Sequence, residues 1–161
     1  MSLNNTRPKK SVKTLSKTQY EALVQRSFGK VIKTADRLLE RRKNEIGENI
    51  HTGKVGLFFE EDGCSISVTL GTRGGIRASV IEAEFDRGDG STPSRFKLEY
   101  SKQDNCLVML DTTSQYPTVL CRYDMTGSRA VTFGDGIGPK RQRRAFEVLG
   151  LILIRLEDLL V

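Results

Sequence analysis

The chain has 161 residues, 37% hydrophobic and 29% charged, with a formal net charge of +6. That length suits one domain with one core, and the composition excludes a disordered chain or a disulfide-dense scaffold. No apolar run is long enough to span a bilayer and no secretory signal opens the chain, so a protein of an intracellular compartment without a membrane span is expected.

The charge is concentrated at one end. Residues 1–46 hold 12 Lys and Arg against 4 Asp and Glu, whereas residues 47–161 hold 14 against 16. Residues 1–15 read as a disordered basic arm, in which Arg7, Lys9, Lys10 and Lys13 stand among Asn, Thr and Ser with almost nothing to bury. Residues 16–161 read as a single α+β domain. Its first helix starts at about Lys17, because Ser16 and Gln19 have capping-box spacing and Leu15 and Tyr20 sit where a hydrophobic staple would. The helix continues to about Ile46, with Gly47 as a C-cap. Tyr20, Val24, Val31, Ala35, Leu38 and Leu39 recur at helical spacing and mark its buried face, while Arg26, Lys30, Lys33, Arg37, Arg41 and Lys43 lie on the other sides. Gly29, in mid-helix, marks a kink or a close approach to another element.

From Lys54 the period changes from helical to two. Lys54–Glu61 and Cys64–Leu70 form a hairpin through the Asp62-Gly63 turn. A third strand runs over Ile76–Phe85, with a phase slip between Val80 and Ile81 that signals a β-bulge. Arg95–Ser101 alternates, with Phe96, Leu98 and Tyr100 inward. Cys106–Leu110 is apolar on both faces and reads as a central strand covered on both sides. Thr118–Tyr123 and Arg129–Phe133 form a last pair joined through Asp124–Ser128. The chain then turns through Gly134–Pro139 into a final helix with two apolar stripes. Phe146, Leu149, Ile152, Leu153, Leu156 and Leu160 make one, and Val148, Leu151, Ile154 and Leu159 the other. Such a helix packs on the sheet and also against the first helix or a second subunit. Strands grouped between helices give an α+β fold with an antiparallel sheet of about seven strands.

Candidate chemistry is sparse. Cys64, Cys106 and Cys121 are far apart in apolar runs and read as buried thiols, not as a zinc site. The one histidine, His51, has no partner in the pattern of a catalytic or metal-binding group. Asp86, Asp89 and Ser91 could hold a hard cation but lack the spacing of a calcium loop. No pair of carboxylates has the setting of a general acid and base. No cofactor is implied, and enzymatic activity has no support in the residues. The best candidate site is Gly134–Arg144, where a glycine-rich turn with Gly136 and Gly138 opens a helix carrying Lys140, Arg141, Arg143 and Arg144. Free backbone N–H groups, the helix dipole and the basic side chains together favour an anion there.

Local resemblances accompany these readings. Gly134–Pro139 is similar to the opening loop of the isopropylmalate and isocitrate dehydrogenases, although here it lies near the end of the chain. Cys106–Leu110, with Arg122-Tyr123-Asp124-Met125-Thr126-Gly127, resembles a central-strand region of the frataxins, whose helix–sheet–helix order is also similar. This chain departs from them in its basic first helix and its lack of tryptophan. The stretch from Phe96-Lys97-Leu98 to Asp124 resembles the Whirly-type single-strand-binding proteins equally well.

The leading functional reading is a non-enzymatic protein that binds nucleic acid, RNA or single-stranded DNA, electrostatically. Its candidate residues are Lys9, Lys10 and Lys13 of the arm, Lys30, Lys33, Arg37 and Arg41 of the first helix, and the Gly136–Arg144 segment. The alternative is an interaction or assembly module with an acidic protein partner, or a homodimer formed through the C-terminal helix. A frataxin-like scaffold is a further alternative.

Overall fold

The first helix, α1 (Lys17–Ile46), begins at its sequence-encoded cap. The Ser16 N–H donates to Gln19 Oε1 at 2.8 Å and the Gln19 N–H donates to Ser16 Oγ at 3.2 Å, the reciprocal pair of a capping box. Leu15 packs against the core beside buried Tyr20. The computed structural model describes residues 15–46, 56–61, 63–71, 77–101 and 103–160. The basic arm with Lys9, Lys10 and Lys13, the Gly47 cap, His51 and Asp62 lie outside these residues.

Among the described residues, seven strands follow α1: β1 (Gly56–Glu61), β2 (Cys64–Gly71), β3 (Arg77–Phe85), β4 (Ser94–Ser101), β5 (Cys106–Asp111), β6 (Thr118–Asp124) and β7 (Val131–Phe133). Each pairs antiparallel with the next in sequence, so the sheet is a meander whose spatial order is its chain order. The last helix, α2 (Pro139–Leu160), completes an α+β fold.

Both helices cover the same face of the sheet. Ile66, Ala83 and Phe96 stand in register across β2, β3 and β4, and Leu98, Met109, Cys121 and Phe133 continue that face to β7. All are buried in one cluster with Val24, Phe28 and Val31 of α1 and Val148, Leu149 and Ile152 of α2. Phe28 fits the helical spacing between Val24 and Val31 and makes the main bridge from helix to sheet. Its ring stacks on Tyr123, with centroids 5.3 Å apart and planes 9° from parallel. Gly29, next to it, comes close to the same residue: a Cβ there would lie 3.8 Å from the Tyr123 hydroxyl.

Among the described residues no element covers the opposite face, which corrects the expectation for β5. Leu107 and Met109 are buried, but Val108 and Leu110 are only half-buried and stand on the open side. Val108 lies between Glu99 and Arg122, and Leu110 lies beside Lys97. Long polar side chains with aliphatic stems flank these apolar residues, so no second layer is needed. The bulge expected between Val80 and Ile81 falls slightly earlier. Thr69 pairs with Val80 and Leu70 with Ala78, leaving Ser79 unpaired. A second register shift, unmarked in the sequence, pairs Met109 with Cys121 but Leu110 with Val119. Leu120 is the extra residue, and both it and Cys121 are buried.

The second stripe of α2 is only partly covered. Val148 is buried and Leu159 half-buried, but Leu151 and Ile154 are 43% and 55% exposed. The helix packs against the sheet and α1 on one side and presents its other side outward.

Burial pushes the Cys121 thiol up to about 12, from an ordinary value of 9.0. The folded state therefore holds its proton more tightly than the unfolded chain. That stabilisation is complete below the ordinary value and is lost as pH rises toward 12. The thermal midpoint should fall across this alkaline window. Cys121→Ala, less stable at neutral pH, should show a shallower fall over the same range.

Candidate functional site

The Gly134–Arg144 segment is built on the second bulge. The Gly134 N–H donates to the Leu120 carbonyl at 2.9 Å, and a Cβ at Gly134 would stand only 2.8 Å from the Val119 carbonyl oxygen. The end of β7 is thus pressed against the bulge, where a side chain has no room. The Ile137 N–H donates to the Gly134 carbonyl at 3.2 Å and closes a four-residue turn. Gly136 occupies its third position at φ +77°, the left-handed region that glycine adopts without steric cost. Ile137 is buried and pins the turn to the core.

The helix start is then set by Gln142. Its N–H donates to the Gly138 carbonyl at 3.0 Å, the first helical bond of α2. Its buried side-chain amide donates to the Ile137 carbonyl at 2.7 Å. Pro139 has no N–H and suits a first helical position. Gly138 has no side chain to cap the helix, and the first turn contains no acidic residue. The N–H groups of Lys140 and Arg141 therefore point out of an uncapped helix end, at the positive pole of its dipole.

The four basic residues of this segment are not equivalent. Lys140 and Arg141 are exposed. Arg143 is exposed but bonded to Glu147, Nε to Oε1 at 2.9 Å. Arg144 is half-buried, with its guanidinium 5.6 Å from the centre of the Phe96 ring. That geometry makes it a cation–π anchor of α2 on β4.

On α1, Arg26, Lys30, Lys33, Arg37 and Arg41 are all exposed. Their spacing of four, three, four and four residues lays them along one stripe, opposite the buried face. Asp36 and Glu40 border it and, with Lys33, Arg37 and Arg41, line a shallow depression. Arg41 has a further role. Its Nη1 donates to the Leu160 carbonyl at 2.9 Å and lies 3.5 Å from the Leu159 carbonyl. It thus caps the C-terminal end of α2, where the last turn has no basic residue of its own. The two basic regions consequently sit on adjoining helices, with the α2 start about 30 Å along that helix from the Arg41 contact.

A shallow cavity on the open face adjoins the same loop. Thr118, Arg122, Thr132, Gly134 and Asp135 line it. Sequence reading did not single it out, although alternation along β6 and β7 places Arg122 and Thr132 on one face. Arg122 lies 3.7 Å from Asp104, and nothing in the cavity pairs an acid with a base in a hydrogen bond. Among the described residues no group of His, Cys, Asp and Glu could hold a metal ion. Asp86 and Asp89 accept hydrogen bonds within their own turn instead, from the Gly88 N–H and from Ser91. The Ser91 bonds hold the Asp89 carboxyl below its ordinary value. No described helix is long and apolar enough to cross a membrane.

No family model, curated protein or solved structure matches this chain. The stretches that carry the frataxin resemblance, 106–110 and 122–127, lie on the neighbouring strands β5 and β6 and the turn that follows.

Gln142→Leu removes the buried amide and leaves the Ile137 carbonyl without its partner. A loss of about 1–3 kcal/mol is expected, measured by urea unfolding. Lys140→Ala, on the exposed side of the same turn, should change stability little by the same measurement.

Proposed function

We propose that the protein is a non-enzymatic binder of nucleic acid that engages phosphates through α1 and the start of α2. The observation that carries this reading is the exposed basic stripe Arg26–Lys30–Lys33–Arg37, joined in the same layer by an uncapped helix end with Lys140 and Arg141. Arg26 to Arg37 spans about 17 Å of helix axis, enough to meet several successive phosphates. The arm residues Lys9, Lys10 and Lys13 add to this charge in sequence.

The open face of the sheet argues for contact through phosphates and not through bases. The aromatic residues of β2–β7 share the register of the helix-covered face: Phe96, Tyr123 and Phe133 are buried, Phe85 is half-buried, and Tyr100, expected inward, is exposed near the end of β4. Glu84 with Arg95, and Lys97 with Glu99, give that face both signs of charge. Strands β2–β7 thus offer no stacking platform, and electrostatic attraction carries binding along that part of the face. Binding is then indifferent to sequence, because phosphate contacts carry no base code.

A second reading, an assembly module, is favoured by one specific observation: Leu151 and Ile154 are exposed on the outer side of α2.

Reversing Lys30, Lys33 and Arg37 to Glu should weaken binding to unrelated oligonucleotides by a similar factor, about tenfold or more at low salt. The slope of log affinity against log salt should flatten by about 0.9 for each duplex phosphate that is no longer neutralised. Fluorescence anisotropy over a salt series measures both. If the intact protein fails to bind single-stranded and duplex oligonucleotides at low salt, the nucleic-acid reading is wrong.

A further inference from the structure

The outer side of α2 has a composition that its own fold does not explain. Arg143, Glu147, Gly150, Leu151, Ile154 and Asp158 follow one another at helical spacing along a single stripe, opposite the buried residues Ala145, Val148, Leu149, Ile152 and Leu156. Two of the six are large apolar side chains open to solvent. Between the charged ends stands Gly150, a poor residue for mid-helix. A Cβ at Gly150 would meet nothing within 4 Å, so no packing inside the molecule requires a glycine there. The helix thus carries a side-chain-free position beside its exposed apolar pair, near its midpoint.

Charge is polarised about that midpoint. Lys140, Arg141 and Arg143 lie in the first half of α2, whereas Glu157 and Asp158 lie in its last turn. This is the reverse of what the helix dipole favours at both ends. Glu147 and Arg155 run against this trend, but a second α2 laid antiparallel across the first would still place each basic start against an acidic last turn. With Gly150 of one copy opposite Leu151 of the other, the same register puts Arg143 opposite Asp158 and Glu147 opposite Ile154. Every contact then occurs twice, as an interface with twofold symmetry requires.

We propose that two copies of this chain dock through α2 in this antiparallel register. The proposal rests on the assembly reading and adds the helix, its direction and its residue pairing to it. Gly150 lets the helix backbones approach. Leu151 of each copy packs on Gly150 of the other at the centre, Ile154 lies against the aliphatic stem of the other copy's Glu147, and Arg143 and Asp158 close each end. The apolar centre is small, so the dimer is a concentration-dependent one.

Sedimentation equilibrium of the full chain over a concentration series tests it. The wild type should shift from monomer to dimer. Gly150→Arg should be monomeric with unchanged circular dichroism, because the substituted position faces open space. Ile154→Glu, also outward, serves as the second disrupting variant if Gly150→Arg does not fold. Arg143→Glu should weaken the dimer about tenfold, by replacing two attractive pairs with two repulsive ones, and Arg143→Glu with Asp158→Arg should restore it. A wild type that stays monomeric at every concentration overturns both the proposal and the assembly reading. A dimer that survives both Gly150→Arg and Ile154→Glu overturns the α2 seam alone. Dissociation by those variants but no rescue by the double charge exchange overturns the antiparallel register.

Discussion

The stack of Phe28 on Tyr123 is the contact on which the arrangement of this molecule depends. Tyr123 stands on β6, paired with Leu107 of β5 and Val131 of β7. A ring fixed there locates the long helix over that half of the sheet. Parallel, buried aromatic rings contribute about 0.5–1.5 kcal/mol beyond the area they bury, and they also fix direction. From β6 the constraint passes on. The bulge at Leu120 seats Gly134, the turn at Gly136 starts α2, and Arg41 of α1 closes over the far end of α2. Helix, sheet, loop and second helix therefore hold one another in a closed circuit, in which no single local preference would suffice.

Charge placement on α2 follows from that circuit. A helix with basic residues at its start and acidic residues at its end opposes its own dipole. At the C-terminal end Arg41 offsets the conflict from outside the helix, by donating to the Leu160 carbonyl. At the N-terminal end the described residues supply no acidic side chain in the first turn. An isolated α2 would be a weak helix by this criterion, and its stability comes from Ala145, Val148, Leu149, Ile152 and Leu156, which are buried to within about one per cent.

Local signals in the sequence translated directly into structure. Ser16 and Gln19 cap α1 as their spacing requires, period-two alternation gives β4 its buried Phe96 and Leu98, and Pro139 opens α2. Non-local features were less legible. The run Val119-Leu120-Cys121 is apolar throughout, so it carries no phase from which a bulge could be read. Val108 and Leu110 look like core because sequence does not show which neighbours will flank them. Gln142 sits in a run of basic residues and gains its buried role only from the Ile137 carbonyl. Arg41 has the same spacing as Lys33 and Arg37, and only the fold shows that it is bonded to a neighbouring helix. Of the site, the loop and its charges were visible, whereas the division of labour among those charges was not.

The brevity of β7 limits how the molecule can be approached. It is the last strand of the sheet and has three residues, bounded by the Arg129–Ala130 approach and the bend at Gly134. An extended segment from another polypeptide would find a ladder too short to zip onto, which guards this margin against the strand-by-strand growth that leads to fibres.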